Sequence, residues 1–167
     1  LQLVNYRSFE VEVSLEVTAD DHGTLVAHGD QGGGYALYVV DGWLQLAWNG
    51  YGSLVEVDGG PVAPGTTSVV LAVEAVGDLV VHAQLRVDGA VTGGARNLPA
   101  LTAMAPFQGI DVGIDRRSPV SWEVRERFGT FPWTGTLHRV TYRPGELAPD
   151  AGPRWLDVLR EAGTKYE

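Results

Sequence analysis

The sequence contains no cysteine in 167 residues. That removes disulfide staples, thiolate metal sites and a cysteine nucleophile, and leaves the redox compartment open. Positive charge is scarce, with 12 Lys and Arg against 21 Asp and Glu, a formal net charge of −9 and a pI near 4.8. Such a surface repels phosphate backbones, so no nucleic-acid partner is expected. No apolar run approaches the roughly 20 residues of a membrane helix, and no membrane partner is expected either. The opening LQLVNYRS shows neither an initiator methionine nor the charged-then-apolar layout of a signal peptide. It reads as a piece of a longer protein, with its compartment open.

Also missing are βαβ alternation, internal repeats, low-complexity linkers and any internal domain boundary. What remains is period-2 patterning. In FEVEVSLEV, Phe9, Val11, Val13, Leu15 and Val17 alternate with Glu10, Glu12, Ser14 and Glu16, as in a strand with one buried and one wet face. TLVAHG (24–29) is a second strand, and YALYVVDGWLQLAWN is a hairpin turning at Asp41-Gly42. Further strands are expected at 53–57, 66–77, 79–89, 107–115 and 135–142, with turns at Gly77-Asp78 and Asp88-Gly89 and a short piece AVTG. Within 107–115, Ile110, Val112 and Ile114 should face the core and Asp111 and Asp115 the other side. In the tail, Trp155, Leu156 and Leu159 at helical spacing, with Gly163 as a stop, predict a short helix. About ten closely spaced strands and one helix predict an all-β, antiparallel two-sheet sandwich or jelly roll. Residues 1–145 would form the sandwich and 146–167 a tail with the short helix. The length suffices to bury about 70% of the unfolded surface in one core.

Several clusters invite a chemical reading. Glu10, Glu12 and Glu16 share a strand face, as the paired acids of sandwich glucanases do, but Ser14 interrupts the set and no aromatic is interleaved. A solvated face is expected instead. Asp20-Asp21-His22 and GDQGGG (29–34) offer oxygen ligands without the spacing of a calcium loop, and turn geometry accounts for both. His22, His28, His82 and His138 are scattered, and no G-x-S-x-G elbow is present, so structural histidines are expected. In DVGIDRRSPVS, Asp111, Asp115, Arg116, Arg117 and Ser118 resemble a small catalytic group. No base accompanies Ser118, however, and Pro119 ends the ladder, which makes this a structural loop. No catalytic residue, cofactor site or metal ligand is assigned. By parity Trp43 and Trp48 point to opposite faces of one strand, so at most one is core, and the other is a platform for sugar or is covered by a neighbour.

DVGIDRRSPVS followed by FPWTGTLHRVTYRPG also resembles the C-terminal β-sandwich of large bacterial arylsulfatases and arylsulfatase-like hydrolases. The matching positions are Val112, Gly113, Asp115, Ser118, Pro119, Val120, Phe131, Trp133, Thr134, Gly135, Leu137, Val140 and Thr141. Looser likeness spans residues 4 to 144 and implies a laminin-G or concanavalin A-like fold. The parent enzyme of such a domain would use a formylglycine and a divalent metal. The formylglycine motif C/S-x-P-x-R is absent here, since Ser118-Pro119 and Ser121 do not fit its spacing, so none of that chemistry carries over. The resemblance implies a non-catalytic accessory domain packed on the catalytic domain of a sulfatase-like hydrolase, or serving homo-oligomer contacts. Trp122, Phe128, Phe131 and Trp133, gathered in the segment 116–133, form the candidate contact surface, with local packing the competing account of them. The alternative is an independent carbohydrate-binding, lectin-like module with a glycan as partner.

Overall fold

A computed structural model describes residues 3–102 and 107–153. The strands run β1 (Arg7–Glu16), β2 (Gly23–Asp30), β3 (Gly33–Val40), β4 (Trp43–Gly50), β5 (Ser53–Pro61), β6 (Ser68–Gly77), β7 (Val80–Val87), β8 (Ala90–Pro99), β9 (Ile110–Val112) and β10 (Thr136–Leu147). A short helix, α1 (Trp122–Phe128), lies between the last two. The strands form two antiparallel sheets of five, ordered β10-β1-β6-β7-β8 and β5-β4-β3-β2-β9. The fold is the antiparallel sandwich the alternation predicts.

The main core fills the space between the sheets. Phe9, Val11, Val13 and Leu15 of β1 are buried there, as are Leu37, Leu46, Leu71 and Leu85. Tyr35 stacks between Phe9 and Trp48, at ring separations of 5.8 and 5.9 Å. Trp48 is fully buried, and its indole N–H donates to the Pro99 carbonyl at 2.9 Å, whereas Trp43 is exposed. Four of the hairpins close on two-residue turns with positive φ at both centres: Asp41-Gly42, Tyr51-Gly52, Asp78-Leu79 and Asp88-Gly89. This is the handedness that matches strand twist. The third turn falls one residue later than the sequence suggests.

A second, smaller core lies on the outer face of the β5-to-β9 sheet. Ala27, Ala36, Ala47 and Tyr38 face outward there and are covered by Val120 and Phe131, with Val124 and Phe128 alongside. The three alanines keep this face low enough for the covering segment to lie flat on it. β2 is consequently buried along its whole length, and β3 and β4 nearly so. Sequence reading placed no helix in this cover. α1 has only seven residues, so its apolar face, Val124 and Phe128, is too short to show a helical period. Its signals were at its ends: the Ser121 hydroxyl accepts from the Val124 N–H, Glu123 sits in the first turn, Arg125 and Arg127 in the last, and Gly129 follows.

The sandwich is latched on one side and open on the other. At the latch β5 meets β8: the Thr92 hydroxyl donates to the Gly59 carbonyl at 2.5 Å. A Cβ on Gly93 would come within 2.0 Å of the Asp58 carbonyl oxygen, so only glycine permits this approach. On the open side the strand expected over 107–115 shortens to β9. Ile110 pairs with His28 and Val112 with Val26, which puts both on the inner face as their parity predicts. Both nevertheless remain exposed, because they sit on an edge strand that the opposite sheet does not cover. β5, β8 and β10 each run further than expected, β10 to Leu147. Beyond it Ala148 and Ala151 join the main core, Tyr6 hydrogen-bonds Asp150, and residues 151–153 are helical. The helix expected around Trp155, Leu156 and Leu159 lies outside the described residues.

Candidate functional site

The acid face of β1 is tied to its neighbours. Glu10 accepts from Arg143 at 2.8 Å and faces Arg86 at 3.5 Å, Glu12 also accepts from Arg143, and Glu16 pairs with His138 at 3.1 Å. In the 111–121 loop Asp111 receives the Arg116 backbone N–H at 2.9 Å and its guanidinium at 2.7 Å. Burial opposes ionisation of Asp111, but these bonds outweigh it and hold the carboxyl below its usual range. Asp115 accepts from the Val120 N–H at 3.0 Å, not from Ser118. Burial pushes its carboxyl up to about 6. Asp21 accepts from the Thr18 backbone and hydroxyl and from Thr134, and Asp30 accepts from the Gly32 N–H at 2.7 Å in the β2–β3 turn. Each of these sequence clusters closes a local turn or sheet row.

The four aromatics of the 116–133 segment part company. Phe131 is buried and stacks on Phe128 with ring centres 4.4 Å apart, both covering the outer face of the sheet. Trp133 is half-buried against the main core. Trp122 alone is exposed, at 51%, and its indole N–H donates to the Gln31 side-chain oxygen.

That bond leads to a groove of about 490 Å³ lined by Asp30, Gln31, Gly32, Tyr51, Phe107 and Ser118. It opens where the β2–β3 turn, the β4–β5 turn and the long loop meet. Tyr51 is 55% exposed and Phe107 76%, which makes the groove mainly apolar with a few polar groups at hand. Tyr51 is fixed at its far end: its hydroxyl donates to the Thr102 carbonyl at 2.6 Å and accepts from the Thr102 N–H at 3.2 Å. Its backbone is held at φ 55° by the tight turn. The three converging segments are joined by one buried side chain, Asn49. Its amide donates to the Gln31 carbonyl at 3.0 Å and the Val120 carbonyl at 2.9 Å, and accepts the Gly52 N–H at 2.8 Å. Sequence reading singled out neither Asn49 nor Tyr51. An aromatic flanked by glycines, as in NGYG, was the available signal for a displayed ring.

No family model matches the sequence, and no curated protein does. Solved structures match well. The chain is similar to the Ruminococcus gnavus IT-sialidase CBM40, with a TM-score of 0.55 and 13% identity over 90% of this chain and 82% of that one. The same module bound to alpha2,3 sialyllactose matches at 0.55 and 13%, over 89% and 80%. Domains LG4-5 of the mouse laminin alpha1 chain match at 0.59 and 15%, over 86% of this chain and 40% of that one. At these identities the likeness establishes the fold, a concanavalin A-like β-sandwich shared by carbohydrate-binding modules and laminin G domains. The sandwich implied by the sequence resemblance therefore stands, while its arylsulfatase component finds no support in these matches.

Proposed function

We propose that this chain is a carbohydrate-binding, lectin-like module and that the Tyr51–Phe107 groove is its glycan site. The observation that carries the reading is a pair of exposed aromatic rings beside Asp30, Gln31 and Ser118. Pyranose rings present an apolar C–H face and a polar rim, and an aromatic wall with a few fixed polar groups complements both. Gln31 is well placed for the rim: its side-chain oxygen is taken by Trp122, which leaves the amide –NH2 to donate to a sugar hydroxyl. The CBM40 neighbour bound to alpha2,3 sialyllactose supports the reading through the shared fold.

Calorimetric titration with an oligosaccharide panel tests it. Saturable binding is expected, and Phe107→Ala should weaken it about tenfold, the loss of one ring contact. Because Phe107 is so exposed, that variant should keep its thermal midpoint. Absence of saturable binding sinks the glycan reading, and affinity indifferent to Phe107 removes the Tyr51–Phe107 groove as its site.

The accessory-domain reading has one observation in its favour. Exposed Ile110 and Val112 form an apolar strip on the open edge, beside the stretch that resembles the arylsulfatase sandwich. The same titration separates the two, since an accessory domain of a sulfatase-like hydrolase is expected to bind no saccharide saturably.

A further inference from the structure

A second groove, of about 480 Å³, crosses the open face of the other sheet over β6, β7 and β8. Ala72, Glu74, His82, Gln84, Arg86 and Arg96 are among the residues that line it. Ala72 pairs with Gln84 and Gln84 with Gly94, so small residues flank Gln84 on both sides between the charged side chains.

The hydrogen bonding at His82 is unbalanced. The register between β7 and β8 shifts at this point, and Asn97, held at φ 59°, turns its backbone N–H to the imidazole Nδ1 at 3.2 Å. A backbone N–H can only donate, so Nδ1 must accept and the ring proton sits on Nε2. Yet Nε2 faces the Arg96 Nη2 at 3.2 Å, and a guanidinium can also only donate. Two donors thus point at one another with no acceptor between them. Among the described residues no carboxylate is within ion-pair distance of Arg96. Arg86 is different: it faces Glu10, and its Nε donates to the Gln84 side-chain oxygen at 2.8 Å. That bond fixes the Gln84 amide with its –NH2 free to act as a third donor, and exposed Glu74, directly across from His82, supplies an acceptor.

We propose that this groove binds an acidic sugar residue, with the His82 Nε2–H and the Arg96 guanidinium closing on its carboxylate or sulfate and Gln84 and Glu74 engaging its hydroxyls. An anionic oxygen is the group that converts two opposed donors into two charge-assisted hydrogen bonds. The proposal rests on the reading of the chain as a glycan-binding module, but not on the Tyr51–Phe107 groove.

The test uses three probes with one core: lactose, 3′-sialyllactose and 3′-sulfolactose, each titrated into the full chain. At least one acidic probe should bind about tenfold or more tightly than lactose, the contribution of one charged hydrogen bond. Arg96→Gln should bring it to the lactose level without moving the thermal midpoint. Equal binding of all three, or a preference that survives Arg96→Gln, overturns the acidic slot and leaves the glycan reading standing. If none of the three binds while other saccharides of the panel do, the slot alone falls; if no saccharide binds at all, both fall.

Discussion

Asn49 is among the few polar side chains buried in this molecule, and its amide is fully engaged, both hydrogens donated and the oxygen accepting. Its partners lie 18 and 71 residues away on one side of the amide and three on the other. Asn49→Ala would leave two carbonyls and an N–H without partners in a dry site, a loss of about 2–4 kcal/mol. Because the same bonds set Gln31 and the Tyr51 turn, saccharide affinity should fall with stability. Urea unfolding and titration of the one variant check both effects; loss of affinity with unchanged stability would contradict a hub role. None of this was legible in the sequence. An asparagine beside Gly-Tyr-Gly reads as a turn residue, and only the fold brings Gln31 and Val120 to it.

Among the elements, the cover formed by α1 and Phe131 has the plainest energetic role. Phe131→Ala removes a buried ring that packs on Tyr38 and Phe128, and large-to-small changes of this kind cost about 3–5 kcal/mol. Chemical denaturation should show a lowered midpoint of that size, and a change below about 1 kcal/mol would mean the cover is loose. The paired Phe128 ring at 4.4 Å is the nearest group that can relax into the space. Strands that alternate, such as β1, and turns with Asp-Gly centres were readable directly, because period 2 and positive φ leave local marks. β8 runs past the short piece its sequence suggests, since Gly93 and Gly94 look like a break in the chain but serve close backbone approach, Gly93 to β5 and Gly94 to β7. Ile110 and Val112 show the limit of parity: it tells which face a residue takes, while burial depends on whether another sheet lies across from it.

Acid stability belongs to the whole molecule, because groups at separate places act on one equilibrium. Burial between Tyr35 and Tyr142 drives the His28 imidazole from its ordinary 6.5 down to about 4. The unfolded chain then binds the extra proton, so the stability His28 contributes is present above about pH 6.5 and is lost as pH falls through about 4. Asp115 works in the opposite sense. With its carboxyl raised from 3.8 to about 6, its contribution is present below about pH 4 and is lost as pH rises through about 6. Each amounts to of order 2–3 kcal/mol, less for Asp115, whose carboxyl keeps some water. Between pH 4 and 6 the two should largely offset one another in the wild type. His28→Phe should make stability fall with rising pH across that window, and Asp115→Asn should make it rise. Denaturation midpoints at several pH values measure the slopes, and two variants with slopes of the same sign would contradict this assignment.

The position of β1 in its sheet bears on how the chain is made. β1 is the second strand in space as well as the first in sequence, with β6 on one side and β10 on the other. Its pairing with β10 runs from Arg7 opposite Leu147 to Glu16 opposite Thr136. At a ribosome adding roughly 5–20 residues per second, about six to thirty seconds separate the synthesis of these two partners. Throughout that interval the nascent chain carries Phe9, Val11, Val13 and Leu15 on a strand with one edge unfilled. The glutamates that alternate with them therefore have an earlier duty than meeting Arg143: their mutual repulsion keeps newborn chains from pairing with one another before the last strand arrives.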